Sequence, residues 1–131
     1  MAIVVSRSSG ALATTTSFQA LSSLAGATVS SSFNVPSGVS AVKQISVGSC
    51  ADGAGEEFQG MVKISGSSLK DGEAVFAMAG QNTMGTSTGS NTAFTQYDTN
   101  LACEPGRDME ISIAVAGSTV TADYAVTLQF E

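Results

Sequence analysis

The chain has 131 residues, a length that fits one domain built around one core. Apolar residues make up 43%, which argues against a disordered chain, yet charged residues make up only 12%, about half the usual share of roughly 25%. Eleven acids against five bases give a net charge of −6, which disfavours nucleic-acid phosphates and anionic membrane surfaces, since both need clustered Lys and Arg.

The opening "MAIVVSRSSG" holds an apolar run only from Ala2 to Val5. A secretory leader needs about 7–15 such residues and a membrane span about 20. A soluble protein made in the cytoplasm is expected, unless a leader was removed before this numbering begins. Next, "TTTSFQALSSLAGATVSSSFNVP" is ambiguous. Phe18, Leu21 and Leu24 recur at i, i+3 and i+6, and Ser17 can cap a short helix. Thr14–Thr16 and Val29–Val35 read as strand, with Pro36 ending the second run or confining it to a sheet edge.

From there the period is two. "VSAVKQISVGSC" turns Ile45 and Val47 inward and leaves Lys43 at an edge or before a bulge. "EFQGMVKIS" puts Phe58, Val62 and Ile64 on one face, and Gln59, Met61 and Lys63 on the other. Asp71-Gly72 is a turn signal, because Gly tolerates the positive φ that such turns use. The strand after it carries Val75, Ala77 and Ala79 on one side, and Ala74, Phe76 and Met78 on the other. A long loop, "GQNTMGTSTGSN" (Gly80–Asn91), has the length of a binding loop, with Gln81, Asn82, Thr83, Met84 and Asn91 as candidate ligand contacts. "NTAFTQYD" is a further strand. Last comes "EISIAVAGSTVTADYAVTLQFE", read as a hairpin around Gly117-Ser118.

In that final stretch Ile111, Ile113 and Val115 share one face, as do Tyr124, Val126, Leu128 and Phe130. The opposite faces carry Ser112, Ala114 and Ala116, then Ala125, Thr127 and Gln129, where a water-facing strand usually bears charge. The expected fold is all-β: an antiparallel β-sandwich of about seven or eight strands, of jelly-roll or Greek-key type, with at most one short helix. Residues 1–131 form a single domain in this reading.

Chemistry is sparse. There is no histidine, hence no usual general base and no usual metal ligand, and two cysteines cannot build a structural zinc site. If joined, Cys50 and Cys103 would close a long loop worth roughly 4 kcal/mol in the chain-entropy model; free, buried thiols are favoured instead. "SSLK" (Ser67–Lys70) matches S-x-x-K by coincidence, since its companion motifs are missing. Two acidic clusters, Asp52/Glu56/Glu57 and Asp98/Asn100/Glu104/Asp108/Glu110, lack the spacing of a calcium loop, and Arg107 is expected to pair with an acidic neighbour. Neither an enzyme nor a cofactor or metal site is expected. A sugar site usually presents aromatic platforms; there is no tryptophan, Tyr124 falls on an apolar face, and only Tyr97 is a candidate.

The neutral faces carry the functional reading. Interface centres are depleted in charge, and small side chains lose little rotamer entropy on being covered. Ser112, Ala114, Ala116, Ala125, Thr127, Gln129, Ala77 and Ala79 are therefore candidate partner-facing positions. The polar lead-in "MAIVVSRSSGALATTTS", the neutral strands and the strand that ends the chain resemble small virion proteins of tailed phages, the capsid decoration (cement) proteins. That resemblance implies a β-rich structural subunit, often trimeric, located in the virion and clamping neighbouring capsomers, with Met1–Thr16 as an arm on an adjacent subunit. It carries over no functional residue. The alternative is a small ligand-binding module, for carbohydrate above all.

Overall fold

The computed structural model describes residues 2–13, 17–24, 27–51, 57–81, 93–117 and 121–131. All regular structure in them is β. The strands are β1 (Ile3–Ala13), β2 (Gln19–Ala20), β3 (Ser23–Leu24), β4 (Ala27–Thr28), β5 (Ser32–Asn34), β6 (Ala41–Ala51), β7 (Glu57–Ser65), β8 (Glu73–Gln81), β9 (Ala93–Ala102), β10 (Asp108–Gly117) and β11 (Thr121–Phe130). Seven are long, of nine to eleven residues, and the other four have two or three. The expected count of seven or eight strands is thus the count of long ones.

They form two antiparallel sheets. Sheet A has the order β4-β3-β1-β11-β6-β9, and sheet B the order β2-β10-β7-β8, with β5 also pairing β10. Only β7 and β8 are neighbours both in sequence and in a sheet among the long strands; β6 to β7, β8 to β9, β9 to β10 and β10 to β11 each pass from one layer to the other. This is the sandwich with crossovers expected of a jelly-roll or Greek-key type.

The terminal stretch is not a hairpin. β10 lies in sheet B and β11 in sheet A. Ile111, Ile113 and Val115 therefore face Tyr124, Val126, Leu128 and Phe130 across the interior, together with Ile45, Val47, Val62 and Ile64. Hydrophobic burial is the physical reason. Each fully buried Val, Ile, Leu or Phe gains about 1.5–3 kcal/mol, and two strongly one-sided strands bury more apolar area facing each other than lying side by side.

The short helix expected near Ser17 is also absent. Gln19 and Ala20 pair with β10 in sheet B, whereas Ser23 pairs with β1 in sheet A, so this segment crosses between the layers. Leu21 alone of the helical trio is buried, and its N–H donates to the Ile111 carbonyl at 2.9 Å. Phe18 and Leu24 stay exposed.

Two other expectations are refined. Lys43 is the extra residue of a bulge: Gln129 pairs Gln44 and Phe130 pairs Val42, so Lys43 is skipped and its Nζ donates to Asn100 at 2.6 Å. Residues 3–13, expected to belong to an arm, run as β1 alongside β11 in the molecule's own sheet, from Ile3 opposite Phe130 to Ala13 opposite Thr121.

Candidate interaction faces

Alternation places the candidate positions on two opposite outer surfaces. Ala125, Thr127 and Gln129 belong to the outside of sheet A. Ser112, Ala114, Ala116, Ala77 and Ala79 belong to sheet B. They cannot form one continuous patch.

The middle of the outside of sheet A is set by three cross-strand rows, Val4–Gln129–Gln44–Asp98, Ser6–Thr127–Ser46–Gln96 and Ser8–Ala125–Gly48–Phe94, and the exposed Asp123 lies in the row beyond Ala125. Among these twelve positions only Asp98 is charged. The polar groups largely satisfy one another. The Ser6 and Thr127 hydroxyls are 3.2 Å apart, Ser6 Oγ also reaches the Val126 carbonyl at 3.3 Å, and Gln44 Nε2 donates to Asp98 at 3.4 Å. Ser8 Oγ donates to the Ser23 carbonyl at 3.3 Å. Hydroxyls already bonded within the sheet lose little when water is removed. At the margins of this face stand two exposed apolar side chains, Val4 at 59% and Phe94 at 67%.

The outside of sheet B reads Ala20–Ser112–Lys63–Val75, then Ala114–Met61–Ala77, then Ala116–Gln59. Ser112 and Ala114 are 3% and 2% exposed, so these two candidate positions are already covered by the chain itself. Lys63 supplies the roof: its Nζ lies 4.2 Å from the centre of the Phe18 ring. Because β10 runs between the segment holding Phe18 and β7, that contact passes over β10. Ala77 and Ala116 remain open, and Met61 and Val75 are 44% and 46% exposed. Gln59, Gly60, Met61, Ala77, Ala114, Val115 and Ala116 line an open depression of about 300 Å³. No charged side chain lines it among the described residues.

The remaining candidates separate cleanly. In the candidate loop, Asn82, Thr83, Met84 and Asn91 lie outside the described residues, as do the side chains of Gln81 and Ala79. Tyr97 is not a platform on the surface: it lies opposite Ile45 on the inner side of β9, with its ring 5.2 Å from that of Phe76. Ser67 donates to Asp108 rather than engaging Lys70, so S-x-x-K forms no catalytic pair. Arg107 Nε meets Glu104 at 2.8 Å, the expected ion pair. No three metal-ligating side chains converge among the described residues.

Cys103 is a free, buried cysteine, and burial pushes its thiol up from the ordinary range. Its N–H donates to the Ser40 carbonyl at one end of β6, whereas Cys50 lies near the other end, opposite Asp123. Ten residues of strand at about 3.3 Å each separate them by roughly 30 Å, and a disulfide allows no more than about 7 Å between Cα atoms. The two cannot be joined within one molecule.

Comparisons with known proteins agree only at the level of the fold. No family pattern and no curated protein sequence matches this chain. Among solved structures, 97% of the chain superposes on tripeptidyl peptidase 2 with a TM-score of 0.53 at 11% identity, spanning only 10% of that much longer chain. The vertex protein P5 of PRD1 is similar over 98% of this chain and 95% of its own, with TM-score 0.48 and 11% identity. A carbohydrate-binding module of a family 9 glycoside hydrolase from Ruminococcus flavefaciens FD-1 is similar over 96% and 98%, with TM-score 0.48 and 13% identity. No helix in the described residues is long and apolar enough to cross a membrane.

Proposed function

We propose that this protein is a structural subunit that binds other protein subunits through its outer sheet faces and performs no chemistry of its own. A capsid decoration (cement) subunit, working as a homo-oligomer in a virion, is the specific form of that reading. The observation that carries it is the outside of sheet A, where twelve consecutive cross-strand positions hold one charge. A strand face left to water gains solubility from Lys and Glu. These positions give that up, although the chain carries fifteen charged residues outside them (ten acidic, five basic). Its internally bonded hydroxyls and short side chains suit a surface that another protein covers.

Gel filtration and sedimentation of the wild type beside Ala125→Lys test the reading. Ala125 is exposed in the middle of the face, so lysine there is expected to change folding stability by no more than about 0.5 kcal/mol. The wild type self-associates and the variant does not. A wild type that stays monomeric at every concentration, and fails to bind capsid shells, overturns the proposal.

The depression on sheet B supports a second reading, a small-ligand module for carbohydrate. Its described lining has no aromatic ring on which a sugar could stack. Binding on a glycan array, with or without calcium, would favour it over the assembly reading.

A further inference from the structure

The two outer faces differ in shape. Phe94 projects from sheet A and is the most exposed of the large hydrophobic side chains among the described residues. Sheet B carries an uncharged, mainly apolar depression of about 300 Å³. We propose that Phe94 of one copy seats in the depression between Met61, Ala77 and Ala116 of a second copy. This rests on the assembly reading above and names its partner as the chain itself.

Three observations point to a second copy as the occupant. The first is size: apolar cavities of about 150 Å³ hold a benzene ring, so the depression has room for a benzyl side chain. The second is charge. The chain has net charge −6, and two copies repel unless they meet where carboxylates are scarce. Both the row that ends in Phe94 (Ser8–Ala125–Gly48–Phe94) and the lining of the depression are free of charge. The third is that knob and hole lie on opposite layers of one molecule. Every copy therefore offers one of each, and the contact is head-to-tail. Such a contact closes into a ring if the rotation between copies permits and otherwise grows into a filament.

The arrangement makes a prediction that no face-to-face twofold dimer shares. Phe94→Ser removes the knob and leaves the hole. Ala77→Trp fills the hole and leaves the knob. Each variant alone weakens self-association by about tenfold or more, as loss of a central anchor does. Mixed in equal amounts they pair through the one intact contact, and sedimentation velocity shows a 1:1 dimer and nothing larger. Circular dichroism confirms the fold of each variant, and Phe94→Lys with Met61→Trp provides a second pair should either aggregate. If the wild type associates and Ala125→Lys abolishes this while the knob and hole variants associate normally, the knob-and-hole contact is wrong and the assembly reading stands. If the wild type is monomeric at every concentration yet binds capsid shells, self-docking is overturned alone. If it neither self-associates nor binds shells, both fail.

Discussion

The Tyr97 hydroxyl donates a 2.5 Å hydrogen bond to the Ala77 carbonyl, joining β9 at the edge of sheet A to β8 at the edge of sheet B. With the Phe76 ring packed beside it, this contact closes one side of the sandwich where, among the described residues, neither edge strand has a further partner in its own sheet. Tyr97→Phe keeps the ring and loses the bond, an expected cost of about 0.5–1.5 kcal/mol. Tyr97→Ala also loses the ring contact and is expected to cost about 2–3 kcal/mol. Urea unfolding measures both. Equal costs would mean that the ring contributes nothing to the closure.

Gly66 leaves no room for a side chain. Its φ is +136°, and a Cβ there would lie 2.4 Å from the Asp108 carbonyl oxygen. The turn that contains it also bonds the Ser68 N–H to that same carbonyl. Gly66→Ala is expected to destabilise by about 2–4 kcal/mol, from backbone strain and overpacking together. Gly72→Ala, with positive φ but open space, is the control and is expected to cost less.

Stability is expected to fall at both ends of the pH scale. Burial, and secondarily the charge of Asp123, push the Tyr124 phenol up from its ordinary value. The folded state thus holds this proton more tightly than the unfolded chain, whose tyrosines ionise near pH 10. The contribution is complete below about pH 10 and is lost as pH rises above it. At the acid end, the hydrogen bond from Ser67 holds the Asp108 carboxyl below its usual range. That contribution is present above the unfolded aspartate value and disappears as pH falls through the folded one. Thermal melts across pH, with Tyr124→Phe and Ser67→Ala as reporters, check each limb. Tyr124→Phe should flatten the alkaline limb, and Ser67→Ala the acid limb.

The thiols give a simpler check. The wild type should show no intramolecular disulfide by mass after alkylation without reductant. Cys103 should react with thiol reagents far more slowly in the native state than in denaturant, because it is buried and its thiolate is disfavoured. A Cys50–Cys103 linkage found in the native protein would contradict the strand order of sheet A.

Much of this was legible from alternation alone. "EFQGMVKIS" became β7 with the inward and outward faces that its period implies, and Lys43 became a bulge because its neighbours fix the parity on either side. Parity assigns a face but not a sheet, which is why β10 and β11 looked like a hairpin and proved to lie in opposite layers. The same gap hid the division of Ala114 and Ala125 between two surfaces. Phe18, Leu21 and Leu24 imitated a helix because a chain crossing between sheets also places apolar groups at irregular spacing. For Tyr97 a signal did exist: Gln96, Asp98 and Asn100 form a polar register of β9, exposed together with Phe94, which leaves Tyr97 on the inner one. The roof made by Phe18 and Lys63 over Ser112 joins residues distant in sequence, and no local pattern announces it.

Hydroxyl-radical footprinting tests most directly whether the outer faces are covered. Oxidation of Val4 and Phe94 on sheet A, and of Met61 and Val75 on sheet B, is compared between dilute protein and protein concentrated or bound to a shell. Their rates should fall together on assembly, while that of the exposed Leu24 serves as the reference. Rates that stay the same in every state would show these faces open to water throughout and would contradict the account.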